Sequence, residues 1–149
     1  MRNTTSGPEK EHILVCLSSS PSNERIVRMA GTMARAFCGN FTALYVQTPE
    51  DAVMNAEDTL RLQANIGLAQ HLGAEIVTMH SEDVPTQITE YARLSGVTKI
   101  VIGRSGVQRR HFWSEPTLTE RLIALAPEVE IHIIPDAEVC KSFHRKRPV

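Results

Sequence analysis

The chain has 149 residues, which is enough for one domain with a sizeable hydrophobic core and too few for two of ordinary size. Apolar residues make up 42% of it and charged residues 22%, as in soluble globular proteins, and the net charge of −1 argues against nucleic-acid binding through the phosphate backbone. The three cysteines are far apart and lack metal-ligand spacing, which predicts a reducing compartment and no metal site. No apolar run is long enough to cross a bilayer.

Residues 1–11 are polar and turn-forming, and we interpret them as a linker or a cloning remnant. The folded domain is predicted at residues 12–136, and a basic C-terminal linker at residues 137–149. Within the domain, short apolar runs alternate with longer segments of helical periodicity. In chain order the predicted elements are a strand at 12–17, a helix at 21–37, a strand at 41–46, a loop at 47–56, a helix at 57–72, a strand at 75–79, a helix from about 85, a strand at 99–102, a loop at 103–114, a helix at 115–125 and a strand at 130–134.

Three of the helices are predicted to pack through one apolar face. In the first helix this face consists of Ile26, Met29, Ala30, Met33 and Phe37. In the second it consists of Leu60, Ala64, Leu68 and Leu72, and in the last of Leu118, Leu122 and Leu125. The alternation of strands and helices predicts an α/β domain with a parallel sheet, right-handed crossovers and helices on both faces.

Two hydroxyl residues, Ser18 and Ser20, directly follow the first strand, at the junction where a parallel α/β sheet binds its ligands. Pro21 suits the first position of a helix, which makes Ser20 the predicted N-cap. Ordinary helix capping without any ligand is the alternative interpretation of this junction.

The spacing Ser18-x-Ser20, twenty further residues and then Phe41-Thr42-Ala43-x-Tyr45 resembles a pattern found in one group of proteins. These are the universal-stress-protein-like domains of Kdp-type potassium-sensor histidine kinases that bind cyclic di-AMP. The resemblance covers about residues 11–136. It implies a Rossmann-like, three-layer fold whose five-stranded parallel sheet has the order 3-2-1-4-5. In that order the ligand crevice lies beyond Leu17 and Ile102.

The loop after the fourth predicted strand is the second candidate element. Gly103 and Gly106 are three residues apart and allow a phosphate to approach the backbone, and Arg104 and Ser105 lie between them. Arg104 is the preferred phosphate ligand of the loop. Arg109 and Trp113 add a cation and a large aromatic ring further along. Each of these features has an alternative interpretation. The two glycines can form a plain strand-ending turn, the arginine side chains can be solvated in a basic loop, and Trp113 can simply anchor the loop.

The same loop resembles the G-x2-G-x9-G-(S/T) motif of ATP-binding universal stress proteins, with one departure. Gly103 and Gly106 match, but Pro116 replaces the third glycine and removes a backbone donor. The family's aspartate after the first strand is replaced by Ser18. These two departures favour cyclic di-AMP, which has two phosphodiesters and needs no magnesium.

The chemistry of the motif residues suggests how they could contact such a ligand. The hydroxyls of Ser18 and Ser20 can donate to phosphate or ribose, and the small side chain of Ala43 lets an adenine edge approach the main chain. Tyr45 stacks on a base or bonds a phosphate. Phe41 and Thr42 complete the set of candidate contacts, although Phe41 has core packing as its alternative.

No catalytic constellation is visible, so we predict that the domain itself is not an enzyme and requires no cofactor. The predicted function is that of a cytoplasmic regulatory domain of an inner-membrane sensor histidine kinase, which binds cyclic di-AMP and modulates potassium-uptake (Kdp) signalling. Its predicted partners are the ligand and the other domains of the parent kinase, a homodimer is left open, and contact with the membrane occurs only through the parent chain. The alternatives are a free-standing ATP-binding universal stress protein and an interaction domain with an empty crevice.

Overall fold

The computed structural model describes residues 10–104 and 116–135. Its five strands are β1 (His12–Cys16), β2 (Asn40–Gln47), β3 (Glu75–His80), β4 (Lys99–Gly103) and β5 (Glu130–Ile134). All neighbouring strands are parallel, and the sheet order is β3-β2-β1-β4-β5. The predicted strand order is confirmed, and each predicted strand boundary lies within one residue of the observed one.

Four helices connect the strands, and the segment before the second of them contains a short 3₁₀ helix, Pro49–Val53. The four are α1 (Asn23–Phe37), α2 (Ala56–His71), α3 (Val84–Ser95) and α4 (Leu118–Leu125). The last helix begins three residues later than predicted, because Thr117 is its N-cap: the Thr117 Oγ1 accepts from the Glu120 N–H at 3.2 Å, and the Glu120 carboxylate accepts from the Thr117 N–H at 2.8 Å.

The sheet separates two hydrophobic cores. Side chains of α1 and α2, among them Val27 and Leu62, pack on one face, and those of α3 and α4, among them Ile88 and Leu122, pack on the other. Strand β2 contributes alternate residues to the two cores, as a period of two requires: Phe41, Ala43 and Tyr45 to the first, Leu44 and Val46 to the second. Strand β2 is therefore covered on both faces.

The predicted inward face of α1 is confirmed for Ile26 and Ala30, which are buried, and for Met33, which packs against the core, but not for its other two residues. Met29 is 38% exposed and Phe37 is 49% exposed, whereas Val27, Gly31 and Ala34 are buried. The reason is that small residues face the sheet and let the helix lie close to the strands, while the large Met29 and Phe37 fit only at the margin.

The predicted faces of α2 and α4 are also confirmed only in part: Leu68, Leu72 and Leu118 pack against the cores as predicted. Leu60 is 67% exposed and Ala64 is also exposed, and the buried residues of α2 are Leu62, Asn65 and Ala69. In α4, Leu122 is buried as predicted, but Leu125 is 39% exposed and Ala126 takes its place in the core. Apolar spacing alone could not distinguish the buried face of α2 from the exposed one, because leucines occur on both faces.

One lysine is buried at the amino-terminal edge of the sheet. Lys99 is 6% exposed, and its Nζ pairs with the carboxylates of Glu11 at 3.2 Å and of Glu130 at 3.1 Å. The bond to Lys99 is the main cause that lowers the pKa of Glu130, and a hydrogen bond from Thr98 followed by the bond to Lys99 lowers the pKa of Glu11.

This cluster predicts a loss of stability in acid. A carboxyl group whose pKa is lower in the folded state stabilises the fold above its unfolded pKa of 4.5, and that contribution disappears as the pH falls through the folded pKa. We therefore expect the melting temperature to fall below about pH 4.5, and to fall less steeply in Lys99→Met, where both pKa values return towards normal. Thermal unfolding from pH 3 to pH 7 measures this, and identical pH profiles of the two proteins would contradict it.

Candidate functional site

A crevice of about 300 Å³ lies at the carboxyl ends of β1 and β4, where the sequence placed it. Its floor includes Leu17 and Ile102. One side is formed by the serine loop (Ser18, Ser19 and Ser20), and the others by the end of β2 with the adjacent 3₁₀ helix and by the first turns of α3 and α4. The winding of the sheet reverses between β1 and β4, which is the usual ligand position of such folds.

Side chains from two helices hold the serine loop. The amide of Asn23, which is 2% exposed, donates to the Cys16 carbonyl at 3.0 Å and accepts from the Ser18 N–H at 3.2 Å. From α2, Asn65 donates to the Ser18 carbonyl at 2.9 Å and Arg61 donates to the Ser19 carbonyl at 3.0 Å. The loop is thus anchored through its backbone by side chains of α1 and α2.

Sequence reasoning missed both asparagines. The available signal was a polar residue at a buried helical position, since Asn65 lies one turn from Leu62 and Ala69 in the apolar repeat of α2. A buried polar side chain requires hydrogen-bond partners, and the nearest unpaired groups are those of the loop.

Ser20 is not the N-cap of α1, so that prediction was wrong. The helix begins at Asn23, and Ser22 precedes it. The Ser20 carbonyl accepts from the Asn23 N–H at 3.0 Å and closes a turn around Pro21. The physical reason is that a preset φ suits proline in a turn as well as in a first helical turn, and only the later start brings the Asn23 amide to the end of β1.

The hydroxyl oxygens of the serine loop are already hydrogen-bond acceptors within it. Ser18 Oγ accepts from the Ser20 N–H at 3.2 Å, and Ser20 Oγ accepts from the Ser22 N–H at 3.3 Å and lies 2.9 Å from Ser22 Oγ. Among the described residues, neither the Ser18 hydroxyl proton nor the Ser19 N–H has an acceptor. The loop therefore presents donors to the crevice, which suits an anionic ligand.

Tyr45 forms the opposite wall, and its hydroxyl donates to the Asp51 Oδ2 at 2.8 Å. The same oxygen accepts from the Thr48 N–H at 2.9 Å. Burial, and next the bond to Asp51, raise the pKa of Tyr45, so the phenol keeps its proton. A phosphate at this hydroxyl would lie beside a carboxylate, so of the two predicted roles of Tyr45 the geometry favours stacking on a base.

The other three residues of the second motif do not line the crevice. Phe41 (8% exposed), Thr42 (1%) and Ala43 (0%) are buried in β2, and the Thr42 hydroxyl lies 2.8 Å from His12 Nε2. Phe41 belongs to the core, which was its alternative interpretation. Direct contacts of these three residues with a ligand remain predictions. In the structure the strand that they form places Tyr45 at the rim of the crevice.

Gly103 lines the crevice, and a Cβ at this position would meet the terminal methyl group of the Ile26 side chain, which would have to shift. Arg104 follows it and is exposed. Pro116 is exposed and precedes the N-cap of α4. The remaining predicted loop residues, Ser105, Gly106, Arg109 and Trp113, lie outside the described residues.

The described lining contains little free charge. Burial raises the pKa of Cys16 to about 12, so this thiol stays neutral at physiological pH.

Residues 10–104 and 116–135 contain no group of three His, Cys, Asp or Glu side chains that could hold a metal ion. Within the same ranges, no helix combines the length and apolar character that a bilayer span requires.

The fold is that of the universal stress proteins. A universal stress protein solved in complex with cAMP matches 85% of this chain and 97% of its own with a TM-score of 0.67 at 18% identity. A universal stress protein from Archaeoglobus fulgidus, in complex with dAMP, matches 86% of this chain and 98% of its own with a TM-score of 0.52 at 19% identity. No protein-family model matches the chain.

Comparison with named proteins of similar sequence assigns the chain to a more specific group. The chain is 35% identical to sensor protein KdpD of Clostridium acetobutylicum over 85% of its length, and 29% identical to KdpD of Escherichia coli K12 over 81%. It spans 14% and 13% of the lengths of these two relatives. The chain is therefore a universal-stress-protein-like domain homologous to a segment of KdpD sensor proteins, which confirms the predicted resemblance except for its ligand.

Proposed function

We propose that this domain binds cyclic di-AMP in the crevice and thereby regulates a KdpD-type sensor histidine kinase that controls potassium uptake. The observation that carries the proposal is that the serine loop, with the unpaired donors of Ser18 and Ser19, lines the same crevice as Tyr45. The motif that suggested the ligand supplies both of these features, Ser18 and Ser20 on one side and Tyr45 on the other.

The chemistry of the crevice supports a phosphodiester. Each phosphate of cyclic di-AMP carries one negative charge, which the Ser18 hydroxyl and Ser19 N–H can meet with charge-assisted hydrogen bonds. An aspartate at position 18 would repel the same group. The apolar side chains of Leu17, Met54 and Ile88 line the rest of the crevice and suit the faces of a base.

In this proposal the domain acts by binding alone, needs neither magnesium nor another cofactor, and passes its signal to other domains of a parent kinase. The relatives are about seven times longer than the matched segment, which leaves room for such domains in them. The parent chain would place this domain on the cytoplasmic side of the cell membrane.

A free-standing ATP-binding universal stress protein is the second candidate. The observation in its favour is that similar folds are described with the adenine mononucleotides cAMP and dAMP. Against it stand Ser18 in place of an aspartate, and Pro116, which has no N–H to offer a triphosphate.

Calorimetric titration distinguishes the two candidates. We expect saturable binding of cyclic di-AMP without added magnesium, and weaker binding of ATP with or without it. Ser18→Ala should lower the affinity for cyclic di-AMP by about tenfold, because a hydrogen bond to a charged group contributes roughly 1.5–3 kcal/mol.

Ser95→Ala is the matched control, because Ser95 lies at the opposite end of the sheet, where its carbonyl oxygen contacts His12. It should bind like the parent. Tighter binding of ATP than of cyclic di-AMP by the parent protein would refute the proposal and favour the second candidate.

A further inference from the structure

The two carboxylate oxygens of Asp51 have different surroundings. Oδ2 accepts from the Tyr45 hydroxyl and from the Thr48 N–H, which completes a capping box at the 3₁₀ helix. Oδ1 has no hydrogen-bond donor among the described residues, although Asp51 lines the crevice and is half-buried. One oxygen therefore holds the carboxylate in place and the other remains available to a ligand.

The neighbourhood of this oxygen is suited to a base and not to a phosphate. The Tyr45 ring and Met54 line the crevice beside Asp51 and provide apolar surface. A phosphodiester next to the carboxylate would suffer like-charge repulsion, whereas the donors of the serine loop attract it. A nucleotide in this crevice is thus oriented with a base towards Asp51 and a phosphate towards Ser18.

On this basis we propose that Asp51 selects adenine, by accepting a hydrogen bond from the exocyclic N6 amine through its Oδ1. This inference rests on the proposed function and specifies its base preference. Adenine carries its donor at position 6, whereas guanine carries a carbonyl oxygen there and has its donors at N1 and N2, so guanine could meet Oδ1 only in a different orientation of the base. A single free acceptor matches the single donor group on the pairing edge of adenine.

The variant Asp51→Asn tests the assignment with little disturbance of the fold. The asparagine carbonyl can accept from Tyr45 and Thr48 as Oδ2 does, so its amide nitrogen takes the place of Oδ1 and turns an acceptor into a donor. Glu50→Gln is the matched control, because Glu50 belongs to the same 3₁₀ helix, is exposed and loses the same charge without lining the crevice.

Three ligands are titrated into each protein: cyclic di-AMP, cyclic di-GMP and the cyclic dinucleotide of purine riboside, which lacks the amine. We expect the parent and Glu50→Gln to prefer cyclic di-AMP over the purine analogue by about tenfold, the value of one hydrogen bond to a charged group. In Asp51→Asn this preference should disappear, and the affinity for cyclic di-GMP should rise relative to the affinity for cyclic di-AMP.

Failure of the parent to bind cyclic di-AMP would refute the proposed function, and this inference with it. If the parent binds but does not distinguish cyclic di-AMP from the purine analogue, only the role of Asp51 is refuted. The role of Asp51 is also refuted if Asp51→Asn keeps the preference, or if it lowers the affinity for both ligands equally. Circular dichroism checks the fold, and Asp51→Ser, whose hydroxyl can accept from Thr48, replaces the asparagine variant if that protein does not fold.

Discussion

Replacing Asn23 with alanine is expected to lower the free energy of unfolding by about 2–4 kcal/mol and to abolish binding in the crevice. The substitution leaves the Cys16 carbonyl and the Ser18 N–H without their partner at a buried position, and each unsatisfied group costs about 1–3 kcal/mol. Since the Ser18 N–H is one of the fixed points of the serine loop, its release also disorders the donors that face the ligand. Urea denaturation and calorimetric titration with cyclic di-AMP measure the two effects.

Asn40→Ala serves as the control. Asn40 is exposed at the start of β2, and its side chain has no hydrogen-bond partner among the described residues. Its stability should stay within about 0.5 kcal/mol of the parent, as is usual at surface sites. A loss of less than about 1 kcal/mol in Asn23→Ala would mean that water replaces the amide and that the loop does not depend on it.

The second large effect concerns two glycines. Replacing each of them with alanine is expected to change the free energy of unfolding in opposite directions. A Cβ on Gly39 would overlap the backbone carbonyl of Glu11, which itself accepts from the Asn40 N–H at 2.9 Å. Because backbone cannot move aside as a side chain can, we expect Gly39→Ala to destabilise the protein by about 1–3 kcal/mol, in the range of overpacked sites.

Gly67 lies inside α2, is exposed, and has nothing within 4 Å of an added Cβ. Gly67→Ala should therefore stabilise the protein by about 1 kcal/mol, the difference in helix propensity between the two residues. The two variants are compared by denaturant unfolding. A neutral Gly39→Ala would show that the first residues of β1 shift easily relative to the start of β2.

The strands were predictable because their signal is local. Strand β1 is an almost unbroken apolar run, as a strand covered on both faces requires, and β2 contributes alternate residues to the two cores. The order of the strands needed the family resemblance, because a repeated strand–helix pattern is compatible with several windings. The inward faces of α1 and α2 were less predictable, since Met29 and Leu60 fit an apolar repeat but lie at the margin or outside the packed layer.

The site was predictable in position but not in how it is held together. Ser18 and Tyr45 came from a motif, and they do face one crevice. The roles of Asn65 and Asp51 depend on contacts that the motifs do not show: Asn65 of α2 donates to the Ser18 carbonyl, 47 residues earlier in the chain, and Asp51 accepts from the Tyr45 hydroxyl, six residues earlier. Three-dimensional contacts of this kind leave only a weak trace in sequence, a polar residue where an apolar one would otherwise pack.

The position of β1 between β2 and β4 also determines when the crevice can form during synthesis. One edge of β1 pairs with Asn40 to Leu44, whereas its other edge can be covered only after Lys99, the partner of Ile13, has been synthesised. Non-local parallel pairing of this kind is slow, because a long loop must close before any contact is gained. A nascent chain that ends before β4 therefore contains the whole serine loop and Tyr45 and still has no crevice. The crevice is complete only when Ile102, Gly103 and Leu118 have been added, because β4 and α4 supply these parts of its lining.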